Sequence, residues 1–173
     1  HFFSALMVAL GSILSAFWIL VANSWQQTPQ GYHIVNNNGV LRAEIVDFWA
    51  MVFNPSTVDR LIHTILASFM TGGFFMLSIA AYYLLKKVHV EHAKKMFKVA
   101  IIFTAVVSLL ELASGHSNSQ MIAKHQPAKL AAAEAHYDSL SKATLYLFGW
   151  VDEKEQKVYG IGIPGMLSFL ISG

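Results

Sequence analysis

Apolar residues fall in long uninterrupted blocks along this chain. The first block runs from Phe2 to Trp25 without a charge. At the α-helical rise its 24 residues extend roughly 36 Å, enough to cross a hydrocarbon core of about 30 Å. Trp25 near its end suits an interfacial aromatic anchor. Residues 26–39, QQTPQGYHIVNNNG, are polar and rich in turn formers, which predicts a loop. From Val40 to Phe53, Leu41, Ile45, Phe48, Trp49 and Val52 recur at helical spacing. The pattern predicts an amphipathic helix too short and too charged to span, lying along a membrane surface.

Asn54-Pro55 then supplies a helix start, Asn as cap and Pro in the first turn. A second apolar run covers Leu61 to Leu85, and a third covers Met96 to Ala113 with Lys98 and Glu111 near its ends. Between them lies KKVHVEHAKKMFK, five lysines against one glutamate, which marks the cytoplasmic side. The predicted organisation is a span over 1–26, an outer loop with a surface helix over 27–54, and a span over 55–85. A cytoplasmic loop over 86–95, a span over 96–113 and a large extracytoplasmic region over 114–173 complete it. In that last region Pro127 opens an alanine-rich helix, PAKLAAAEAHYDSL, and VDEKEQK forms a charged turn. The tail YGIGIPGMLSFLISG reads as a loop and a short surface helix. The expected fold class is an all-α integral membrane protein, a bundle with three spans in this stretch. Apolar character already present at His1 and gathering again before Gly173 leads us to expect an internal piece of a longer polypeptide.

Composition agrees with the bilayer. Hydrophobic residues make up 55% of the 173 and charged residues 13%, where a soluble domain carries about a quarter charged. Mean hydropathy is +0.48. With no cysteine, disulfides, iron–sulfur clusters and thiolate zinc sites are excluded. A net charge of +2 makes no case for nucleic acid as a partner.

Few residues carry candidate chemistry. His63 lies about eight residues, roughly 12 Å, inside the outer end of the second span. A neutral imidazole there can ligate heme iron, or be a membrane-edge histidine bonded to a carbonyl. Arg60, three residues earlier, shares its helix face and can pair with a heme propionate or extend to headgroups. Lys129 and Glu134 are five residues apart, about 140° around a helix, so they cannot form the usual i,i+4 pair. Quinol oxidation needs such groups, a proton acceptor and a donor to hold the ring oxygens, although solvated surface charges give the same pattern. Ser15 and Asn23 lie nearly on one face of the first span and can line a proton path or bond a neighbouring helix. His89 and His92 fall in the lysine-rich loop, and His116, His125 and His136 show no metal-binding spacing.

Four stretches share one resemblance. VALGSILSAFWILVANSWQQTPQGY resembles the fourth transmembrane helix of the large subunit of cytochrome bd-type quinol oxidases. FNPSTVDRLIHTILASF resembles the start of its fifth and GHSNSQMIAKHQPAKLAAAEAHY its quinol-binding loop, and the tail IPGMLSF is also similar to that family. The resemblance covers nearly the whole chain in the family's order. It implies that His63 is the axial ligand of the low-spin heme b, and that Lys129 and Glu134 serve quinol binding and oxidation. Ser15 and Asn23 match polar positions of a proton path. It further implies a second heme b and a heme d in the intact subunit, a second membrane subunit, ubiquinol or menaquinol as substrate, and a bacterial cell membrane as location. The methionine opposite His63 and the oxygen-site ligands fall outside this stretch, which alone would not reduce oxygen. Around Leu112–Ser114 the chain departs from the family, which places Gly and Asp nearby, and Glu111 is given no role. The activity implied is quinol:oxygen oxidoreduction. The rival classes are a membrane scaffold or channel module and a b-type cytochrome of another family, which would need paired histidines.

Overall fold

A computed structural model describes residues 1–137 and 142–172. Two compact units, His1–Gly115 and His116–Gly173, divide the chain. The first contains α1 (Phe2–Gln27), a hairpin of β1 (Tyr32–Asn37) and β2 (Val40–Ile45), the short α2 (Phe48–Val52) and α3 (Thr57–Lys86). The unit boundary falls within α4 (Val90–His125). The second unit holds α5 (Pro127–Ala133), a hairpin of β3 (Leu145–Asp152) and β4 (Lys157–Ile163), and α6 (Met166–Ser172).

Three helices, α1, α3 and α4, are long and apolar enough to cross a membrane. Phe3, Leu14 and Ile19 on α1 and Phe75, Leu109 and Leu112 on α3 and α4 are exposed, as expected where lipid or further protein replaces water. The class is therefore a helical membrane protein, though not purely α, because two antiparallel hairpins lie outside the apolar helices.

The first hairpin corrects the surface helix expected over Val40–Phe53. Asn38 and Gly39 both take positive φ, 51° and 87°, the two-residue type I′ turn that asparagine and glycine favour. Beyond it Leu41, Ala43 and Ile45 alternate with Arg42 and Glu44, a strand period that competes with the helical one. Val40 pairs with Asn37 and Ile45 with Tyr32. Only Phe48–Val52 is helical, capped where the Asp47 side chain accepts from the Ala50 N–H at 3.0 Å.

The lysine-rich loop also shrinks. Helix α3 runs to Lys86 and α4 begins at Val90, so the turn is three residues, with Lys87 and His89 at φ 56° and 48°. Lysine, glutamate and alanine are good helix formers, and Glu91 pairs with Lys94 at 3.3 Å one turn along. At its other end α4 continues past Ala113 through GHSNSQMIAKH, because no proline intervenes before Pro127.

In the second unit the alanine-rich helix is shorter than expected. It ends at Ala133, with Ala135 at φ 54° and the His136 N–H donating to the Ala131 carbonyl at 2.8 Å. Residues 138–140 of the expected helix lie outside the described residues. The tail, expected as loop and helix, is strand β4 followed by α6. The Asp152 side chain accepts from the N–H groups of Lys154 and Glu155 at 2.9 and 3.1 Å, which turns the chain back onto β3. The Tyr159 hydroxyl donates to Glu155 at 2.7 Å, and that bond raises the phenol pKa from its ordinary value.

Helices α3 and α4 approach closely at Gly73, where a Cβ would collide with the Thr104 hydroxyl. Gly72 faces open space. Replacing Gly73 by alanine should therefore destabilise the purified protein by about 1–3 kcal/mol, whereas Gly72→Ala should be neutral or slightly stabilising. Equal thermal unfolding of the two variants in detergent would contradict this packing.

Candidate functional site

The helix contact at Gly73 is one point in an antiparallel seam. One turn further along α3 the Ser108 hydroxyl lies 3.5 Å from Met70 Sδ, and two further turns bring His63 opposite Glu111 and Ser114. His63 Nδ1 is 3.2 Å from Glu111 Oε1 and 3.4 Å from Ser114 Oγ. The His63 side chain is 36% exposed and that of Glu111 14%. His63 Nε2 has no hydrogen-bond partner among the described residues. Gly115 adds no side chain beside the ring, and a Cβ there would stand 3.8 Å from His63 Cε1.

This donor set suits one kind of metal group. Among the described residues no cluster of three or more His, Asp or Glu side chains forms that would hold a bare metal ion. A single imidazole with Nδ1 turned to a carboxylate and Nε2 unpartnered fits an iron that carries its own equatorial ligands, as heme does.

Arg60 lies on the same face of α3 but turns toward α1, where its guanidinium donates to the Asn23 carbonyl at 3.5 Å. A cation at a helix C-terminus interacts favourably with the dipole. Asn23 is exposed, and its side-chain oxygen accepts from Gln27 at 3.3 Å. Ser15, two turns earlier, is exposed as well. The structure thus joins Arg60 to Asn23 through the backbone and does not bring Ser15 into that contact.

The α1–α3 approach is set by a buried polar junction. Thr28 Oγ1 lies 2.9 Å from Asn54 Oδ1 and 2.6 Å from Ser56 Oγ. Asn54 Oδ1 also accepts from the Ser56 N–H at 3.2 Å, and the Asn54 amide donates to the Met51 carbonyl at 2.9 Å. Thr28, Asn54 and Ser56 are all buried.

Lys129 and Glu134 belong to the second unit. Lys129 is exposed on α5, and its N–H donates to the Gln126 carbonyl at 3.0 Å. Glu134 is the C-cap of α5, half-buried, at φ −93° and ψ 6°. The helical wheel therefore reaches only to Ala133, and the two side chains are separated by a helix end as well as by angle. His136 beside them bonds the Thr144 carbonyl at 3.0 Å. His116 is 3.2 Å from the Gln120 amide, and His125 Nδ1 is 3.0 Å from the Met121 carbonyl.

Glu111 is the residue that the sequence reading passed over. Its signal was a carboxylate within an apolar span, which by default points to function.

Comparison with known proteins covers the whole chain. The family model described as cytochrome bd terminal oxidase subunit I matches residues 1–173. The chain is 34% identical over 172 residues to cytochrome bd-II ubiquinol oxidase subunit 1 of Escherichia coli K12, covering 98% of this chain and 33% of that protein. It is 38% identical over 166 residues to cytochrome bd ubiquinol oxidase subunit 1 of Bacillus subtilis 168, covering 95% and 35% respectively. Among solved structures, the bd oxidase from Geobacillus thermodenitrificans superposes with a TM-score of 0.83 at 34% identity, over 95% of this chain and 37% of that one. The chain thus spans about a third of the length of these relatives.

Proposed function

The chain belongs to the cytochrome bd terminal oxidase subunit I family, and from that premise we propose that it is the quinol-side portion of a respiratory quinol:oxygen oxidoreductase. The family and the three apolar helices make it a bacterial membrane protein. The observation that carries the reading is His63, whose Nδ1 is engaged by Glu111 while Nε2 is left for a ligand.

His63 would hold a low-spin heme b, which supplies one-electron transfer between quinol and an oxygen site built elsewhere in the intact subunit, where a further heme b and a heme d belong. Arg60, one turn away, would pair with a propionate by turning from the Asn23 carbonyl that its guanidinium now reaches at 3.5 Å. On α5 the Lys129 ammonium would hold a quinol oxygen, and Glu134 would accept the hydroxyl proton as electrons leave. Glu134 sits where the helix ends, so a proton it accepts can pass to solvent. Quinol, ubiquinol or menaquinol, and a second membrane subunit are the partners of this reading. Ser15 and Asn23 would contribute to a proton path along α1. Orientation follows from the lysines: Lys86, Lys87, Lys94, Lys95 and Lys98 put residues 86–95 in the cytoplasm and the second unit outside.

The ligand assignment is checked by His63→Ala in the intact oxidase. The low-spin heme b bands should disappear while the other hemes persist, and an unchanged low-spin spectrum would rule out ligation by His63.

Substitutions on α5 separate quinol chemistry from heme binding. Glu134→Gln should slow quinol turnover by about a hundredfold. Lys129→Met should raise the apparent Michaelis constant by roughly tenfold, the cost of one charged hydrogen bond. Heme spectra should be normal in both, and a small chemical donor that reduces the heme directly should restore oxygen consumption. Normal quinol kinetics in both variants would leave α5 without a catalytic part.

Orientation is read by labelling intact cells with an impermeant thiol reagent. Glu153→Cys, in the β3–β4 turn, should label from outside, and Val88→Cys should label only after permeabilisation. The reverse pattern would invert the topology.

A further inference from the structure

Glu111, its side chain 14% exposed, has no part in the reading of the site given so far. Glu111 lies in the apolar stretch of α4, where an ionised carboxylate is costly unless paired. Its Oε1 meets His63 Nδ1 at 3.2 Å, while Oε2 is buried and accepts no hydrogen bond among the described residues. We propose that Glu111 is the positioning residue for His63, holding the imidazole in the tautomer that presents Nε2 and lowering the reduction potential of the group bound there. The proposal rests on His63 being a heme ligand.

Three observations carry it. The first is the tautomer. A hydrogen bond from Nδ1–H to a carboxylate leaves the Nε2 lone pair as the free donor. Ser114 Oγ, 3.4 Å from the same nitrogen, lies at the long edge of hydrogen bonding and cannot substitute for a charge. The second is rigidity. Glu111 and His63 stand on two long helices held together at Gly73–Thr104 and Met70–Ser108, so the ring plane is set by two packed elements rather than by one side chain's rotamer. The third is the dielectric. With the Glu111 side chain 14% exposed, its charge acts through little water and is felt strongly at the ring. A carboxylate on Nδ1–H pushes electron density into the imidazole, which favours the oxidised over the reduced iron by stabilising its extra positive charge. Arg60, the cation nearest in sequence to His63, turns to the Asn23 carbonyl of α1, so among the described residues His63 is the ion-pair partner that Glu111 meets.

The test uses the intact oxidase with all its subunits, titrated spectroelectrochemically at the low-spin heme b. Glu111→Gln keeps shape and a carbonyl acceptor but removes the charge. At a fixed potential its ratio of reduced to oxidised heme should rise about tenfold, a shift of about 59 mV upward for one electron. Glu111→Asp, which keeps the charge, should rise by less than threefold. Heme lost from Glu111→Gln but retained in Glu111→Asp supports the same conclusion, since charge then decides ligation. A Glu111→Gln ratio within threefold of the wild type, or lower, overturns the proposal, as does loss of heme from both variants. His63→Ala run in parallel separates the two levels. A low-spin heme that survives it removes the ligand reading itself, whereas its loss beside an unshifted Glu111→Gln removes only the role of Glu111.

Discussion

A few buried hydrogen bonds where α1 ends and α3 begins govern the geometry of the first unit. After α1 the chain leaves for a hairpin and a short helix and returns at Asn54. It is fastened on return by Thr28, Asn54 and Ser56, whose side chains satisfy one another within 2.6–3.1 Å. Buried polar groups are costly when unpaired, so a helix end carrying Thr28 has few low-energy alternatives to this junction. The carbonyl of Ser24 takes part as well, accepting from the Thr28 N–H and hydroxyl at 2.9 and 3.2 Å. Orphan carbonyls of the last turn of α1 are thereby satisfied without water.

The position of the candidate site follows from this fastening. Helix α3 starts one residue after Ser56, so Arg60 comes within reach of the α1 terminus and His63 falls one turn deeper. The second constraint is the Gly73–Thr104 approach, which draws α4 alongside and sets Glu111 against the imidazole. Neither constraint is chemical in the sense of the reaction. Each is a packing decision made two or three turns away, yet together they decide which nitrogen of His63 is engaged.

Charge economy in an apolar medium explains why so few residues carry the chemistry. Within the spanning part of α3 and α4, the ionisable side chains are sparse, and those near the site are paired: His63 with Glu111, Arg60 with the end of α1. The lysines instead gather at and beside the α3–α4 turn. The second unit, by contrast, carries exposed Lys129 and a half-buried Glu134 at a helix end.

Residue patterns alone determined the three apolar helices, and singled out His63, Lys129 and Glu134 as the residues to weigh. Those follow from one-dimensional quantities, namely apolar length, charge bias and the rarity of a histidine in an apolar run. The hairpin at 32–45 was legible too, in Asn38-Gly39 and the alternation from Leu41 to Ile45, but the helical and strand periods overlap in so short a segment. The β3–β4 pairing and the early end of α5 depend on partners distant in sequence and had no comparable local signal. Only the tertiary structure decided that Glu111 faces His63 and that Arg60 turns to Asn23. Both depend on the rotation and depth of one helix against another, which are set by the Thr28–Ser56 junction and by Gly73 lying against Thr104, contacts between residues that no local pattern relates.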